Sequence, residues 1–486
     1  MENMYTWSSA ETLTRLADRL RAATFKHTDS VAFFSSAEIP ELQVGDAAKA
    51  KQFRDDSNCF VVGNPNLTFG TWNRLVAALP NAESIATLNA HGGEFIPGSV
   101  DDHVRAIRAR AASGLVRPIQ LDIDITMACP SACSFCFSAN YRATRSTGRH
   151  MTKDAIHAVI DDAVQLGVKV VRFDGGGDPT SSPYLAEAIE HCADLGVKTA
   201  LLTAGDLLTE PLMRALAKAR TYVRVSLNAA SDATRAQLHG TPRRRGFLLS
   251  SILEKLATLD TMRRLDGDGD PRMHMLLGAT SMIHPINISE TYEIAARAKS
   301  AGLDHISFRV VLGSEHAVSF TKAQLDQFAV DRLRIRTDLC GEEFRVFLPT
   351  RNLSDSGYVP GDYFSECRAS THRALVEVGP RPDEPVLVPC GRYRGSGFNL
   401  DLSGSQSAVY GRLSAERSLK DVWMSEPMVS VLSRFPAACG DCIDRSANVT
   451  LARIEDVLRR DPDAEFFQFW DQARYTSEMN IARVQS

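Results

Sequence analysis

From Arg117 to Val311 short apolar strands alternate with amphipathic helices, and this rhythm limits the possible folds more than any other feature of the chain. Strands are expected at Ile119–Ile125, Val168–Phe173, Thr199–Leu202, Tyr222–Leu227, His274–Ala279 and His305–Val311. Between them Lys153–Leu166, Tyr184–Leu195, Glu210–Ala219, Ser250–Leu259 and Ile288–Ala301 read as helices. Such an alternation forms right-handed parallel βαβ units. Six strands of this kind build either a partial TIM-type barrel or a doubly wound sheet, and both put ligands at the carboxyl ends of the strands.

Residues 1–115 read as a mostly helical accessory region. Ser9 opens a capping box, with Thr12 in place of the usual acid, ahead of Leu13, Leu16 and Leu20; short apolar pieces follow at Val31–Phe34 and Cys59–Val62, and Trp72–Leu79 suggests another helix. Residues 116–315 hold the barrel, 316–365 a connecting segment, and 366–486 a small α+β domain. The 486 residues suffice for two or three domains, and 44% hydrophobic with 23% charged residues fits a globular protein with a sizeable core. A net charge of −4 offers no general attraction to nucleic acid. No apolar run reaches the roughly 18–20 residues that span a bilayer, and the N-terminus lacks a signal peptide's basic and apolar segments. A cytoplasmic protein with no membrane or nucleic-acid partner is expected. That compartment keeps thiols reduced, so the ten cysteines are not read as disulfides.

Seven of the ten fall into two groups. Cys129-Pro-Ser-Ala-Cys133-Ser-Phe-Cys136 is a C-x3-C-x2-C loop directly after the first strand. Three thiolates can ligate three irons of a [4Fe–4S] cubane and leave the fourth iron open. The plainer alternatives are a zinc site short of one ligand, or three packed thiols. After the second strand comes Asp174-Gly-Gly176-Gly177-Asp178-Pro179; the third ends Thr203-Ala204-Gly205 and the fourth Ser226-Leu-Asn228. Ser226 and Asn228 share a face at the strand period of two, unless they are simply solvated.

These residues resemble the radical S-adenosylmethionine (SAM) superfamily, whose cysteine spacing includes an aromatic where Phe135 stands. The resemblance implies a partial (β/α)6 TIM-type barrel of the α/β class, with SAM and a [4Fe–4S] cluster as cofactors. Gly176, Gly177 and Asp178 are similar to the family's Gly-Gly-Glu-Pro segment, which meets the SAM ammonium; Asp178 is one methylene shorter than Glu. Ser226 and Asn228 match the segment that contacts the ribose or carboxylate of SAM. Ala204 replaces a frequent asparagine, and Arg309 is either a partner of the SAM carboxylate or an ordinary salt bridge. A one-electron donor such as flavodoxin or ferredoxin is implied as a partner.

The second group is Cys367, Cys390, Cys439 and Cys442, which could hold another [4Fe–4S] cluster or a zinc ion, with Cys340 able to replace Cys367. Here the chain resembles the twitch domain, the short form of the SPASM domain, and Ser418–Trp423 fits its helix. Pro385 stands where glycine is usual, and nothing after Cys442 completes the longer cysteine run of a full SPASM domain. One auxiliary cluster, acting as electron acceptor, is therefore implied.

The resulting expectation is an oxidoreductase that cleaves SAM reductively and takes hydrogen from an unactivated C–H bond. Peptide maturases often begin with a three-stranded sheet followed by three helices, and residues 1–115 open with a helical pattern instead. This favours a small hydroxylated substrate of the sugar or aminocyclitol type, with maturation of a ribosomal peptide as the alternative. A non-catalytic iron–sulfur carrier or sensor is the remote rival, but it has no use for Gly176–Asp178 or for Ser226 and Asn228. Three features are set aside. Gly92-Gly93-Glu94 mimics the glycine motif but precedes the cysteines; Arg243–Arg245 could grip a phosphate or an acidic peptide, but such a run is usually a solvated face; Asp266–Asp270 resembles a calcium loop, with Leu277 where its glutamate belongs.

Overall fold

The computed structural model describes residues 31–36, 39–45, 59–62, 100–113, 116–136, 138, 150–240, 246–265, 275–311, 318–340, 344–348, 367–391 and 409–433, with single positions 448, 451, 455, 458 and 459. Cys439, Cys442, Gly92–Glu94, Arg243–Arg245, Asp266–Asp270 and the helices read around Leu13–Leu20 and Trp72–Leu79 lie outside the described residues.

The N-terminal region departs from the helical expectation. Strands β1 (Val31–Ser36), β2 (Ile39–Gly45) and β3 (Cys59–Val62) form an antiparallel sheet with β1 in the middle. β2 carries Pro40, which removes a backbone donor and weakens the strand pattern. It is tolerated because β2 is an edge strand. The helix α1 (Val100–Ser113) precedes the barrel.

The barrel runs β4 (Gln120–Asp124), α2 (Lys153–Leu166), β5 (Val170–Phe173), α3 (Leu185–Asp194), β6 (Lys198–Thr203), α4 (Glu210–Lys218), β7 (Tyr222–Ser226), α5 (Asp232–His239), α6 (Leu249–Leu265), β8 (Leu277–Ile283), α7 (Thr291–Ser300) and β9 (His305–Val310). All six strands are parallel, and their order in the sheet follows their order in the chain. A doubly wound sheet reverses strand order at a switch point; no reversal occurs across these six, so the barrel is the right choice.

The barrel was expected to have six parallel strands, with a further strand at Phe344–Leu348; among the described residues eight strands are parallel. After α8 (Lys322–Arg334), β10 (Arg345–Phe347) adds to β9. At the other edge, α9 (Ala369–His372) leads into β11 (Arg373–Arg381), which pairs parallel with β4. β12 (Glu384–Val388) and the short β13 (Gly411–Arg412) then continue the sheet antiparallel. The segment read as a separate domain from residue 366 thus enters the barrel's own sheet.

Local sequence explains these elements. Thr152 caps α2 by accepting from the Ala155 amide, and Gly167 ends it in the left-handed region at φ 104°. Ile156, Val159, Ile160 and Ala163 form its buried stripe. In β4 the alternation Gln-Leu-Asp-Ile-Asp sends Leu121 and Ile123 into the core and puts Asp122 and Asp124 on the other face. Asp122 there pairs with Arg172 and Arg373. At the amino ends of the strands, Val170, Ala200, Tyr222 and Leu276 form a small apolar plug, and the Tyr222 hydroxyl meets His305 Nε2 at 3.0 Å. Among the described residues no helix is long and apolar enough to cross a membrane.

Candidate active site

Beyond β4 the chain turns into the cysteine loop, and three neighbouring segments fix its course. Thr126 accepts from the Gly177 amide at 3.0 Å through its carbonyl, and Ala128 from the Asp178 amide at 2.8 Å, so the glycine strap runs beside the loop. A Cβ on Gly177 would overlap the backbone of Met127 and Ala128. Glycine is needed here for close approach. The Gly176 amide donates to Asp124 Oδ2 at 3.1 Å. The Thr126 hydroxyl accepts from the Ala128 amide at 3.0 Å and lies 2.8 Å from His150 Nδ1.

The third neighbour is the C-terminus of α5, whose last carbonyls lack helical partners. The Ala132 amide donates to the His239 carbonyl at 2.7 Å and the Ser134 amide to the Leu238 carbonyl at 3.1 Å. Gly240, left-handed at φ 57°, lets the chain leave beside Ala132. The His239 ring is buried: Nδ1 lies 3.3 Å from Cys133 Sγ, and Nε2 lies 3.1 Å from Asn228 Nδ2. Burial, followed by the charge of Arg235, pushes this imidazole down to about 3, so it is neutral at physiological pH. Phe135 meets the ring edge-on at 6.2 Å.

Cys129, Cys133 and Cys136 are each partly exposed, as a loop open to ligands on one side would be. No three His, Cys, Asp or Glu side chains among the described residues close around a single ion. Three cysteine thiols on one loop are a donor set that can ligate three irons of a cubane.

The other expected site residues divide. Ser226 ends β7 two positions after Arg224, and Arg309 lies in β9. Burial, and then the nearby Arg309, lower the Arg224 guanidinium to about 10, which leaves it cationic. Asp178 is engaged by the chain itself. Its carboxylate accepts from the Thr180 amide at 3.0 Å, the Thr180 hydroxyl at 2.6 Å and the Ala204 amide at 2.8 Å. The Thr203 hydroxyl lies 2.9 and 3.0 Å from its two oxygens. The carboxylate therefore ties the strap to the end of β6.

Asn228 lies past the end of β7, so the strand alternation no longer governs its direction. Its Oδ1 accepts from the Met282 amide at 2.6 Å while Nδ2 faces His239, which puts it behind the cysteine loop. Sequence reasoning missed Thr126, His150, Asp124 and His239. The helix bearing His239 was marked by the Ser231 cap, which accepts from the Thr234 amide, and by Gly240 at its end. Its partner Cys133 is 106 positions away, and nothing in the sequence links the two.

In the second cysteine group, Cys367 is partly exposed just ahead of α9, and Cys390 follows β12. Because β11 runs parallel to β4 and β12 antiparallel to β11, both thiols lie toward the amino ends of the barrel strands. Asn448 Nδ2 points at Cys367 Sγ at 3.8 Å. Cys340 follows a short π-helix after α8, ahead of β10.

An open parallel barrel that carries three thiols on the loop after its first strand, with a glycine strap alongside, defines an enzyme class built around an iron–sulfur cluster and SAM. Residues 123–317 match the family model of the radical SAM superfamily, a family that implies a [4Fe–4S] cluster and SAM as cofactors. PqqA peptide cyclase of Bradyrhizobium diazoefficiens is 25% identical over 284 residues, 56% of this chain and 66% of that protein. PqqA peptide cyclase of Xanthomonas campestris is 26% identical over 385 residues, 75% of this chain and 91% of that protein. The chain spans 66%, 31% and 32% of the first three such relatives, less than two thirds of each. Among solved structures, Streptococcus suis SuiB bound to precursor peptide SuiA is similar at a TM-score of 0.48 with 15% identity, covering 91% of this chain and 82% of that one.

The named activity of these relatives is on a peptide, which overturns the expectation of a sugar or aminocyclitol substrate. That expectation leaned on a missing N-terminal sheet, and the sheet is present.

Proposed function

We propose that the chain modifies a peptide by radical SAM chemistry, with its cluster held by Cys129, Cys133 and Cys136. The observation that carries the substrate class is the alignment with PqqA peptide cyclase over 91% of one relative's length. The antiparallel sheet of β1, β2 and β3 ahead of the barrel supports the same reading, since peptide maturases often begin with such a sheet. When bound, the cluster and SAM supply a 5′-deoxyadenosyl radical that removes hydrogen from an unactivated C–H bond.

The chain's own part is to hold and shield. Three thiolates leave one iron open to SAM, and Gly176 and Gly177 bring backbone close to it. Asp178 keeps the strap in place from behind, and Ser226 and Arg309 are the side chains assigned to the polar groups of SAM. The apolar plug around Tyr222 closes the amino end of the barrel, which limits water near a reactive radical. Cys367, Cys390, Cys439 and Cys442 are assigned to an auxiliary [4Fe–4S] cluster in a twitch-like segment. Such a group would supply an acceptor for the second electron, so that, with a proton lost from the peptide, the net change would be an oxidation. Flavodoxin or ferredoxin fits the role of reductant in the cytoplasm.

The test is anaerobic incubation of the reconstituted enzyme with SAM, reductant and peptides encoded beside its gene. The expected products are 5′-deoxyadenosine and a peptide whose mass has fallen by a hydrogen pair. Turnover that leaves every peptide unchanged would overturn the reading.

A further inference from the structure

We propose that His239 is a positioning residue that raises the reduction potential of the first cluster, by donating an N–H···S hydrogen bond to Cys133. The inference rests on Cys133 being a cluster ligand. It begins at a backbone amide, which can only donate. Met282 N–H meets Asn228 2.6 Å away, so the atom facing it is the amide oxygen. The other end of the Asn228 amide is then Nδ2, also only a donor, and it points at His239 Nε2 at 3.1 Å. Nε2 must accept. A neutral imidazole with Nε2 accepting carries its one proton on Nδ1, and Nδ1 is the atom 3.3 Å from Cys133 Sγ. The proton's position is thus assigned from the network, starting at a group that cannot be turned around.

The arrangement is also rigid. Asn287 Nδ2 bridges the carbonyls of Asn228 and Met282, each at 2.8 Å. The backbone of His239 is bonded to the same cysteine loop that its ring addresses. Asn228 and His239 are 2% and 1% exposed, so little water competes, and hydrogen bonds in series polarise one another at low dielectric. A donor on a ligand sulfur stabilises the more negative, reduced cluster, and hydrogen bonds to sulfur are among the groups that set cluster potentials. The bland reading is a packing histidine against Phe135 that caps a helix. Such a residue would leave the potential alone.

The experiment is an EPR-monitored redox titration of the cluster whose signal responds to added SAM. In His239→Phe the ratio of reduced to oxidised cluster at fixed potential should fall about tenfold, a drop of about 59 mV for one electron. In Asn228→Leu the ring can take either tautomer, and the midpoint should move the same way by less. An unmoved midpoint in His239→Phe, with the cluster assembled, overturns the proposal. A second measurement, on unaltered protein, does not depend on the variants folding. After growth on 15N-histidine, pulsed EPR of the reduced cluster should reveal a coupled histidine nitrogen, and its absence overturns the proposal too. Failure of the underlying assignment looks different: the unaltered chain then forms no SAM-responsive cluster.

Discussion

The two cysteine groups differ in how the chain supports them. The first occupies eight consecutive positions, Cys129 to Cys136, and is flanked by a strand end, a glycine strap and a helix C-terminus. The second is spread over positions up to 75 residues apart, 442 less 367; of its members Cys367 and Cys390, the two described, flank the hairpin of β11 and β12. Parallel pairing of β11 with β4 separates Cys367 and Cys390 from the first group along the barrel, by roughly 16 Å for the five residues of β4 at 3.3 Å each. On the proposed function, the first end would start a radical reaction and the second would receive an electron. Both use an asparagine whose orientation is pinned by backbone amides. Asn228 reaches Cys133 through His239, whereas Asn448 accepts from the Arg368 and Ala369 amides at 2.6 and 2.9 Å and addresses Cys367 directly.

Breaking the second group should have the largest effect on product. Cys439→Ala with Cys442→Ala is expected to halve an iron content of about eight per chain. Peptide product should disappear while SAM cleavage continues. Loss of SAM cleavage as well would assign the second site to holding the fold together.

The first group is sharpened by Gly177→Ala. The added methyl must push the strap away from Ala128, and SAM affinity is expected to fall at least tenfold, about 1.4 kcal/mol, by equilibrium binding. Unchanged affinity would detach the strap from SAM binding. Asp178→Asn replaces one accepting oxygen with a donor that must face Ala204 N–H or the threonines. A buried polar group then loses its partner, which costs about 1–3 kcal/mol of stability in denaturant unfolding. An equal midpoint for variant and parent would mean the carboxylate is not the tie it is taken to be.

The smallest effect belongs to Lys420→Ala. Lys420 lies 3.3 Å from Asp162 at the surface, and its loss should change stability by about 0–1 kcal/mol with iron content unaltered. The C-terminal segment is held there mainly by the Leu419 amide on Asp162 and by Trp423 Nε1 on the Val116 carbonyl, both buried or half-buried contacts.

Much of the barrel was readable because its strands and helices follow two clear periods, and the first cysteine group because its ligands are neighbours in sequence. What escaped was made by long-range pairing. β1 to β3 look unremarkable one at a time, and β2 carries a proline; the sheet exists because its strands find each other. β11 read as part of another domain because a strand does not announce which edge it will join. Asn228 lies two residues past the end of β7, where the alternation that pairs it with Ser226 no longer sets its direction. His239 was invisible for want of any local sign that its helix ends on the cysteine loop.

The most direct test of the central assignment is 5′-deoxyadenosine formation by Cys129→Ala, Cys133→Ala and Cys136→Ala, each reconstituted with iron and sulfide and given SAM and reductant. Three thiolates are needed to hold the cubane with one iron open, so the expected result is no 5′-deoxyadenosine from any of the three. Substantial SAM cleavage by even one of them would contradict the assignment of the cluster to this loop.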